Sequence, residues 1–126
     1  MNKQPTKTQI KTLWEWCGFK FIQPIESGAV DVIYPDGSMC LSPSILALPH
    51  LDLNNLFKYA LPKLQWFIVN IEHIEVSCEF YVTLTDFYLA QPCKEYKSKH
   101  KDPAIALFWA IWQIITLNRE SKIRND

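Results

Sequence analysis

Apolar and polar residues recur along the chain with periods that predict three helices separated by strands. The first helix begins at Thr6, where TKTQ has the spacing of a capping box with Gln9, and it ends before Gly18, which suits a left-handed cap. The helix is predicted over about Thr6–Cys17. Its apolar face carries residues at helical spacing: Ile10, Leu13, Trp14 and Cys17.

Short strands and a second helix are predicted next. Phe19–Ile22 is predicted to be a short strand that stops before Pro24, and AVDVIYPDGSMCL, residues 29–41, has the alternation and the PDG turn of a hairpin. Asp52 caps a second helix, and Pro62 is expected to end or kink it near Leu61 because proline has no amide hydrogen. The apolar face of this helix is predicted to contain Leu53, Leu56, Phe57, Ala60 and Leu64.

Strict alternation predicts a sheet in the second half of the chain. Apolar residues occupy every second position over residues 67–71, and again over residues 74–84, so the second run is predicted as one long strand with a polar and an apolar face. The apolar parity changes between the two runs, which predicts a turn or bulge near His73. The polar segment QPCKEYKSKHK, residues 91–101, is predicted to be a loop.

The last helix is apolar almost all round. Asp102 is a suitable N-cap, Pro103 suits the first helical position, and residues 103–117 carry no charge. At 1.5 Å per residue this helix is about 22 Å long, short of the roughly 30 Å hydrocarbon core of a bilayer. It must therefore be buried either between the sheet and another helix of the same chain, or between the sheet and a second copy. The second scheme predicts a homodimer interface of Leu107, Trp109, Ile111, Trp112 and Ile114.

Together these elements predict an α+β fold. An antiparallel sheet is layered with three helices in the order helix, hairpin, helix, strands, helix, in a sandwich-like arrangement. Apolar residues make up 48% and charged residues 21%, which is enough to bury a core. The length fits a single domain over residues 1–126, with flexible tails at residues 1–5 and 118–126.

Charge is balanced overall but unevenly distributed. The formal net charge is zero, which removes a general electrostatic argument for binding nucleic acid or an anionic membrane. Residues 21–57 and 64–93 contain acids but no lysine or arginine, whereas most basic residues lie in the first twenty positions or from Lys94 onwards. Separate acidic and basic surfaces are one interpretation, and ordinary surface scatter is the other.

The cysteines and the N-terminus bear on the compartment and on bound metals. Cys17, Cys40, Cys78 and Cys93 form no CxxC pair, and their spacing fits no zinc pattern. Apolar neighbours predict buried reduced thiols, which suits a cytoplasmic protein. The N-terminus lacks the continuous apolar core of a signal peptide. We therefore expect a cytoplasmic location, no metal and no cofactor.

Few residues are spaced for catalysis. The three histidines lie in different segments, and no HExxH or GxSxG motif occurs, so no catalytic residue is assigned. Glu75 and Glu79 share a face of the long predicted strand. There they are spaced for an acid/base pair or a shared metal, although a solvated sheet face is the commoner explanation.

The basic segment KEYKSKHK, which leads into the last helix, is the candidate anion or nucleotide site. Free amides at a helix start attract anions, and a tyrosine can stack on a base. Asp102 competes for those amides as the cap, so a solvated basic loop is the alternative. The candidate ligand-binding residues are Tyr96, Lys97, Lys99, His100 and Lys101.

Three stretches in this order resemble a known family: LWEWCGFKF (13–21), LDLNNLFKYALPKL (51–64) and DPAIALFWAIWQII (102–115), with YPDG between the first two. They resemble the small bacteriophage and prophage proteins grouped as the phage ABA-sandwich domain. The resemblance implies a sheet layered between helices and a phage or prophage origin. It implies no catalytic motif or ligand that can be placed on residues of this chain.

The sequence therefore favours a non-enzymatic phage or prophage accessory protein that acts by binding. One concrete form is a homodimeric inhibitor of a bacterial defence system, which binds a host protein or sequesters a nucleotide; this form is an analogy from origin and size. A small hydrolase that uses Glu75 and Glu79 is a third class. The alternative is a nucleic-acid-binding protein whose contacts are made by Lys94, Lys97, Lys99, Lys101, Arg119, Lys122 and Arg124.

Overall fold

Helices and two antiparallel three-stranded sheets make up the described part of the chain, which confirms the predicted α+β class. The computed structural model describes residues 3–22, 31–37, 39–41, 49–86 and 94–124. The sandwich layering stays a prediction. The elements are α1 (Lys7–Trp16), β1 (Lys20–Ile22), β2 (Asp31–Ile33), β3 (Met39–Leu41), α2 (Leu53–Asn55), β4 (Phe67–Ile74), β5 (Glu79–Asp86), β6 (Lys94–His100) and α3 (Pro103–Arg124).

The start and the end of α1 follow the predicted capping signals. Thr6 Oγ1 accepts a hydrogen bond from the Gln9 amide at 3.1 Å, and Gln9 Oε1 accepts one from the Thr6 amide at 3.0 Å. Gly18 follows the helix with φ +109°, and a Cβ there would lie 3.4 Å from the ring of Pro35. The first helix is thus set by local chemistry that the sequence displays, and it buries Leu13 and Trp14.

The first sheet contains the predicted hairpin together with the short strand before it. β2 pairs antiparallel with β1 on one side and with β3 on the other. Gly37 has φ +92° in the turn between β2 and β3, and its amide donates to the Tyr34 carbonyl at 2.9 Å. Val32, at the centre of β2, is buried.

The second predicted helix changes its winding along its length. Asp52 caps it by accepting from the Asn55 amide at 2.8 Å, and α2 continues as a π-helical segment (Leu56–Ala60) and a 3₁₀ segment (Leu61–Leu64). The change lies next to Pro62, whose ring crowds the preceding turn, as expected. Phe57 is 45% exposed and not on the buried face, which Leu56, Ala60 and Leu64 form at a spacing of four residues.

The second sheet corrects the prediction of one long strand over residues 74–84. The chain reverses at residues 75–78, so β4 and β5 are two antiparallel strands that pair from Phe67↔Asp86 to Ile74↔Glu79. Val76, which continues the apolar alternation, is 99% exposed in this turn. The turn at residues 75–78, just beyond His73, accounts for the shift of the apolar positions from odd to even numbers. Apolar residues continue to alternate through this turn, so alternation alone does not distinguish it from a strand.

The prediction of a loop at residues 91–101 is wrong for residues 94–100. Here the structure has β6, which pairs antiparallel with β5 from Phe80↔His100 to Asp86↔Lys94. Tyr96 is 6% exposed and belongs to the core, whereas lysines occupy the solvent side. Lysine-rich edge strands are a usual means of preventing unwanted strand pairing, and this polar composition hides the strand in the sequence.

Helix α3 is covered from several directions within one chain. One side contacts β5 and β6, and another contacts α1 and α2. Its buried residues are Ala104, Ile105, Ala106, Leu107, Phe108, Ala110, Ile111, Ile114 and Ile115. Helical backbone continues to Arg124, seven residues beyond the predicted end, while flexibility of the predicted tails stays a prediction. In the part of the chain that the structure describes, no helix has the length and apolar character needed to span a membrane.

Candidate functional site

A strip of exposed lysines runs along β6, which is the outermost strand of the order β4-β5-β6. We call Lys94, Lys97, Lys99 and Lys101 the basic strip; all four are exposed. Successive side chains on a strand point to opposite faces. Because Tyr96 is buried in the core with α3, Lys97 and Lys99 project from the other face, next to Thr83 and Tyr81 of β5.

Two contacts hold lysines of the strip in place. Lys97 Nζ lies 3.2 Å from Glu95 Oε2, with both side chains about half exposed. The hydrogen bond and the charge of Glu95, and then Tyr81, raise the pKa of Lys97. Lys94 Nζ lies 5.6 Å from the centre of the Tyr96 ring. The strip therefore presents ordered positive charge beside the strand's main chain.

The predicted anion-binding residues do not converge on one point. Tyr96 packs against the Phe67 ring at 6.2 Å, and burial, followed by the charge of Asp86, raises its pKa. Its ring is therefore not available to stack on a base. His100 Nδ1 accepts from the Asp102 amide at 2.9 Å, whereas Lys97 and Lys99 lie on the opposite face of the sheet.

The start of α3 is already capped by its own chain. Asp102 Oδ1 accepts a hydrogen bond from the Ala104 amide at 2.8 Å. A carboxylate at this place takes the position of an incoming anion and neutralises the positive end of the helix dipole. This geometry favours the capping role of Asp102 over the predicted anion site.

A groove of about 260 Å³ opens between β6 and α3. Its walls combine charged, hydroxyl and apolar side chains: Lys94, Glu95, Tyr96, Gln113, Thr116 and Leu117. Gln113 Nε2 crosses from α3 and donates to the main-chain carbonyl of Lys97 at 2.8 Å. The groove thus places a side-chain donor and an apolar contact at Leu117 beside Lys94, whereas Lys97 and Lys99 project from the other face of the sheet.

The sequence pattern did not predict this groove, because the lysine-rich segment of β6 has the composition of a loop. Gln113 is the polar residue in the narrow strip of the last helix that it shares with the small residues Ala106 and Ala110. Lysines at every second position from Lys97 to Lys101 were the other available signal, since period-two alternation is typical of a strand.

The predicted interface residues are largely buried within the same chain. Leu107, Ile111 and Ile114 belong to the core. Trp109 and Trp112 are half-buried. Packing within one chain therefore already buries these three aliphatic side chains, so their burial does not require a second copy.

The half-buried indoles of α3 also have partners in the chain. Trp109 Nε1 donates to the Lys3 carbonyl at 2.8 Å, so the segment before α1 reaches α3. The Trp112 ring stacks on Phe108 with 5.7 Å between ring centres.

The carboxylates considered for catalysis do not share a strand face. Glu75 lies in the turn after β4, whereas Glu79 begins β5, so the geometric premise of the hydrolase class is wrong. Among the described residues, no three His, Cys, Asp or Glu side chains form a group able to hold a metal.

The expected burial of all cysteines is corrected at Cys78, which is exposed, and confirmed at Cys17. Cys78 lies in the turn between β4 and β5, which the sequence pattern had assigned to a strand. The side chains of Cys40 and Cys93 lie outside the described residues.

Comparison with known proteins found no relative of this chain. No protein-family model, curated protein or solved structure matches the chain. The resemblance to the phage ABA-sandwich domain stays a prediction that rests on the three quoted stretches.

Proposed function

We propose that this chain is a non-enzymatic binding protein that takes up an acidic polypeptide partner along β6. The observation that carries the proposal is the basic strip on an exposed outer strand: Lys94 lines an open groove, and Lys97 and Lys99 project from the other face of the same strand. Residues 94–101 contain four lysines and one glutamate, and that glutamate pairs with Lys97. Complementary charge of this kind directs partner choice and speeds association.

The proposal extends to origin and setting. The three stretches that resemble the phage ABA-sandwich domain support a phage or prophage accessory protein in the cytoplasm of a bacterial host. In that setting, the acidic partner is a host protein, and inhibition of a defence system is the proposed outcome. Asp102 at the start of α3 favours a protein partner over a nucleotide, because its carboxylate holds the amide that a phosphate needs.

Selection from a display library of random twelve-residue peptides tests this site without knowledge of the natural partner. We expect enriched peptides to carry an excess of Asp and Glu. Charge reversal at Lys94, Lys99 and Lys101 together should raise the dissociation constant of the best peptide at least about tenfold, since several charge contacts are lost.

The matched control reverses Lys7, Lys11 and Lys20 instead, which lie in or near α1. Equal loss in both triple variants, or enrichment of basic or uncharged peptides, would contradict the site. Failure to enrich any peptide would remove the proposed function.

Nucleic acid is the second candidate partner, because α3 carries further basic residues beyond the groove. The helix continues past the groove to Arg124 and carries the positions of Arg119 and Lys122, so basic residues follow the strip along the same element pair. The side chains of these three residues lie outside the described residues. The burial of Tyr96 weighs against this candidate, because a ring for base stacking is missing where the sequence predicted one.

Fluorescence anisotropy with a dT20 oligonucleotide separates the two candidates. Nucleic-acid binding through the four lysines of the strip would weaken roughly fiftyfold between 50 and 200 mM salt, because each phosphate contact releases counterions. We expect no such binding at 200 mM salt. Submicromolar affinity for dT20 at this salt, lost on charge reversal of the strip, would replace the peptide partner with nucleic acid.

A homodimer is a further part of the proposal, and the geometry limits where it forms. With Leu107 and Ile111 buried in the chain, a second copy has the half-buried indoles of Trp109 and Trp112 to cover, which are not among the residues lining the groove. Light scattering is expected to give a dimer for the wild type and a monomer for Trp112→Asp, since a charge there opposes apolar contact between copies, and circular dichroism checks that the variant is folded. A monomeric wild type at every concentration would contradict the dimer.

A further inference from the structure

Within the described residues, the main chain of β6 is paired with a strand on one side and not on the other. β5 is the strand that pairs with β6 in the described part of the sheet. Gln113 Nε2, a side-chain donor from α3, occupies the Lys97 carbonyl at 2.8 Å. Because the N–H and C=O of one residue point to the same edge and successive residues alternate, this bond indicates that the main-chain groups of Glu95, Lys97 and Lys99 face away from β5.

The groove lies along this open edge. One wall is the first half of β6, at Lys94, Glu95 and Tyr96, and the other wall is α3 at Thr116 and Leu117. An extended chain beside β6 would therefore run between a strand and a helix, as in peptide recognition by strand addition. Its main chain would meet the open groups of β6, and alternate side chains would meet Leu117 or the solvent face.

We infer that β6 accepts an extended acidic segment of a partner as a fourth strand of the sheet, in the groove between β6 and α3. This inference rests on the proposed function and states how that same site binds. Main-chain hydrogen bonds to the edge give affinity, and the charge of the lysines selects the segment. Acidic residues opposite Lys97 and Lys99 form the cross-strand pairs of opposite charge that stabilise neighbouring strands.

In the free protein, the Gln113 side chain covers part of the open edge of β6. Its amide occupies one open carbonyl, which reduces unwanted pairing in the way that charged or covered edges do. An incoming strand must displace this side chain and replace its hydrogen bond. Gln113→Ala is therefore expected to tighten peptide binding about two- to fivefold, because a competitor worth roughly one hydrogen bond is removed. Gln65→Ala, an exposed glutamine outside the groove lining, is the matched control and should leave peptide binding unchanged.

Single N-methylation at each position of the best selected peptide tests the inference on the peptide rather than on the protein. We expect losses that alternate along the peptide: at least about tenfold where an N–H faces β6, and less than about twofold at the positions between. Loss without a two-residue period, or no loss at any position, overturns strand addition. The proposed function survives that result if charge reversal of the strip still abolishes binding.

A protein variant gives a second, independent result. Lys97→Pro removes an amide hydrogen from the open edge and leaves the β5–β6 hydrogen bonds in place, since proline is tolerated on outer strands whose N–H faces solvent. Circular dichroism is expected to show an intact fold, with peptide binding weakened at least about tenfold against less than about threefold for Lys97→Ala. Equal binding by the two variants would show that the partner does not use the Lys97 amide, and unfolding of Lys97→Pro alone would place this amide in the sheet. Either result overturns the inference.

Discussion

Cys17, at the end of α1, shows how burial changes one side chain. Burial raises the pKa of its thiol from an ordinary value of 9.0 to about 12, against a smaller lowering by Lys63. The thiol is therefore protonated in the folded chain at pH 10, whereas it loses its proton in the unfolded chain. Stability from this group is complete below pH 9 and falls as the pH rises towards 12, by about 1.4 kcal/mol per pH unit.

Urea unfolding of the wild type and Cys17→Ala at pH 8 and pH 10 measures this effect. We expect the wild type to lose about 1.4 kcal/mol more than the variant between the two pH values. Burial also raises the pKa of Tyr96, so Tyr96→Phe should remove a further part of the alkaline loss. An identical pH dependence in the wild type and Cys17→Ala would contradict the buried thiol.

Cys78 is a residue whose backbone conformation suits glycine better. Its φ is +56° in the turn between β4 and β5, and its thiol is exposed. A side chain in this left-handed region costs roughly 1–2 kcal/mol, and glycine loses about 0.5–1 kcal/mol through the freedom of the unfolded chain, so Cys78→Gly is expected to stabilise the fold by about 0.5–1 kcal/mol.

Ser77→Gly is the matched control for this turn, since Ser77 does not have a positive φ. There glycine only adds freedom to the unfolded chain, and a loss of about 0.5–1 kcal/mol is expected. Urea unfolding midpoints give both values. Two equal losses would show that Cys78 is not strained.

At the scale of elements, β6 separates a buried side from a charged one. Tyr96 is part of the core while Lys97, its neighbour, is exposed. Tyr96→Ala should lower the free energy of unfolding by about 3–5 kcal/mol, as for other large aromatic residues in cores, whereas Lys97→Ala should change it by less than about 0.5 kcal/mol. Thermal unfolding of the two variants checks the assignment. Two small and similar changes would mean that residues 94–100 are a surface loop.

Elements also differ in how far local sequence predicts them. α1 is bounded by the Thr6 capping box and by Gly18, so both limits were predicted to within a residue or two. The turn after β4 was not, since Val76 and Cys78 continue the alternation of a strand although both are exposed. A periodic pattern reports which side of an element is apolar, and it does not report where the chain reverses.

At the scale of the molecule, α3 connects the second sheet with the first two helices. Ile111 is fully buried in this arrangement. Ile111→Ala is therefore expected to lower the free energy of unfolding by about 2–5 kcal/mol, with the oligomeric state at a fixed concentration unchanged. Leu117→Ala, on the same helix but 38% exposed, should cost less than about 1 kcal/mol.

Urea unfolding and light scattering on the same samples distinguish a core residue from an interface residue. A residue between two copies would shift the balance of dimer and monomer and make the apparent stability depend on concentration. An Ile111→Ala variant that dissociates but keeps the stability of the monomer would place Ile111 in an interface.

Local signals were sufficient for the α+β class, for the caps at Thr6, Asp52 and Asp102, and for the need to cover α3, because each depends on neighbours along the chain. Three features depended on contacts between distant segments: the strand at β6, the burial of Tyr96 and the groove that Gln113 lines. The lysine-rich segment forms an outer strand because it hydrogen-bonds to β5, and the Lys97 carbonyl at the edge of the sheet is covered because α3 places Gln113 beside it. Such pairings join residues far apart in sequence, and no local pattern contains them.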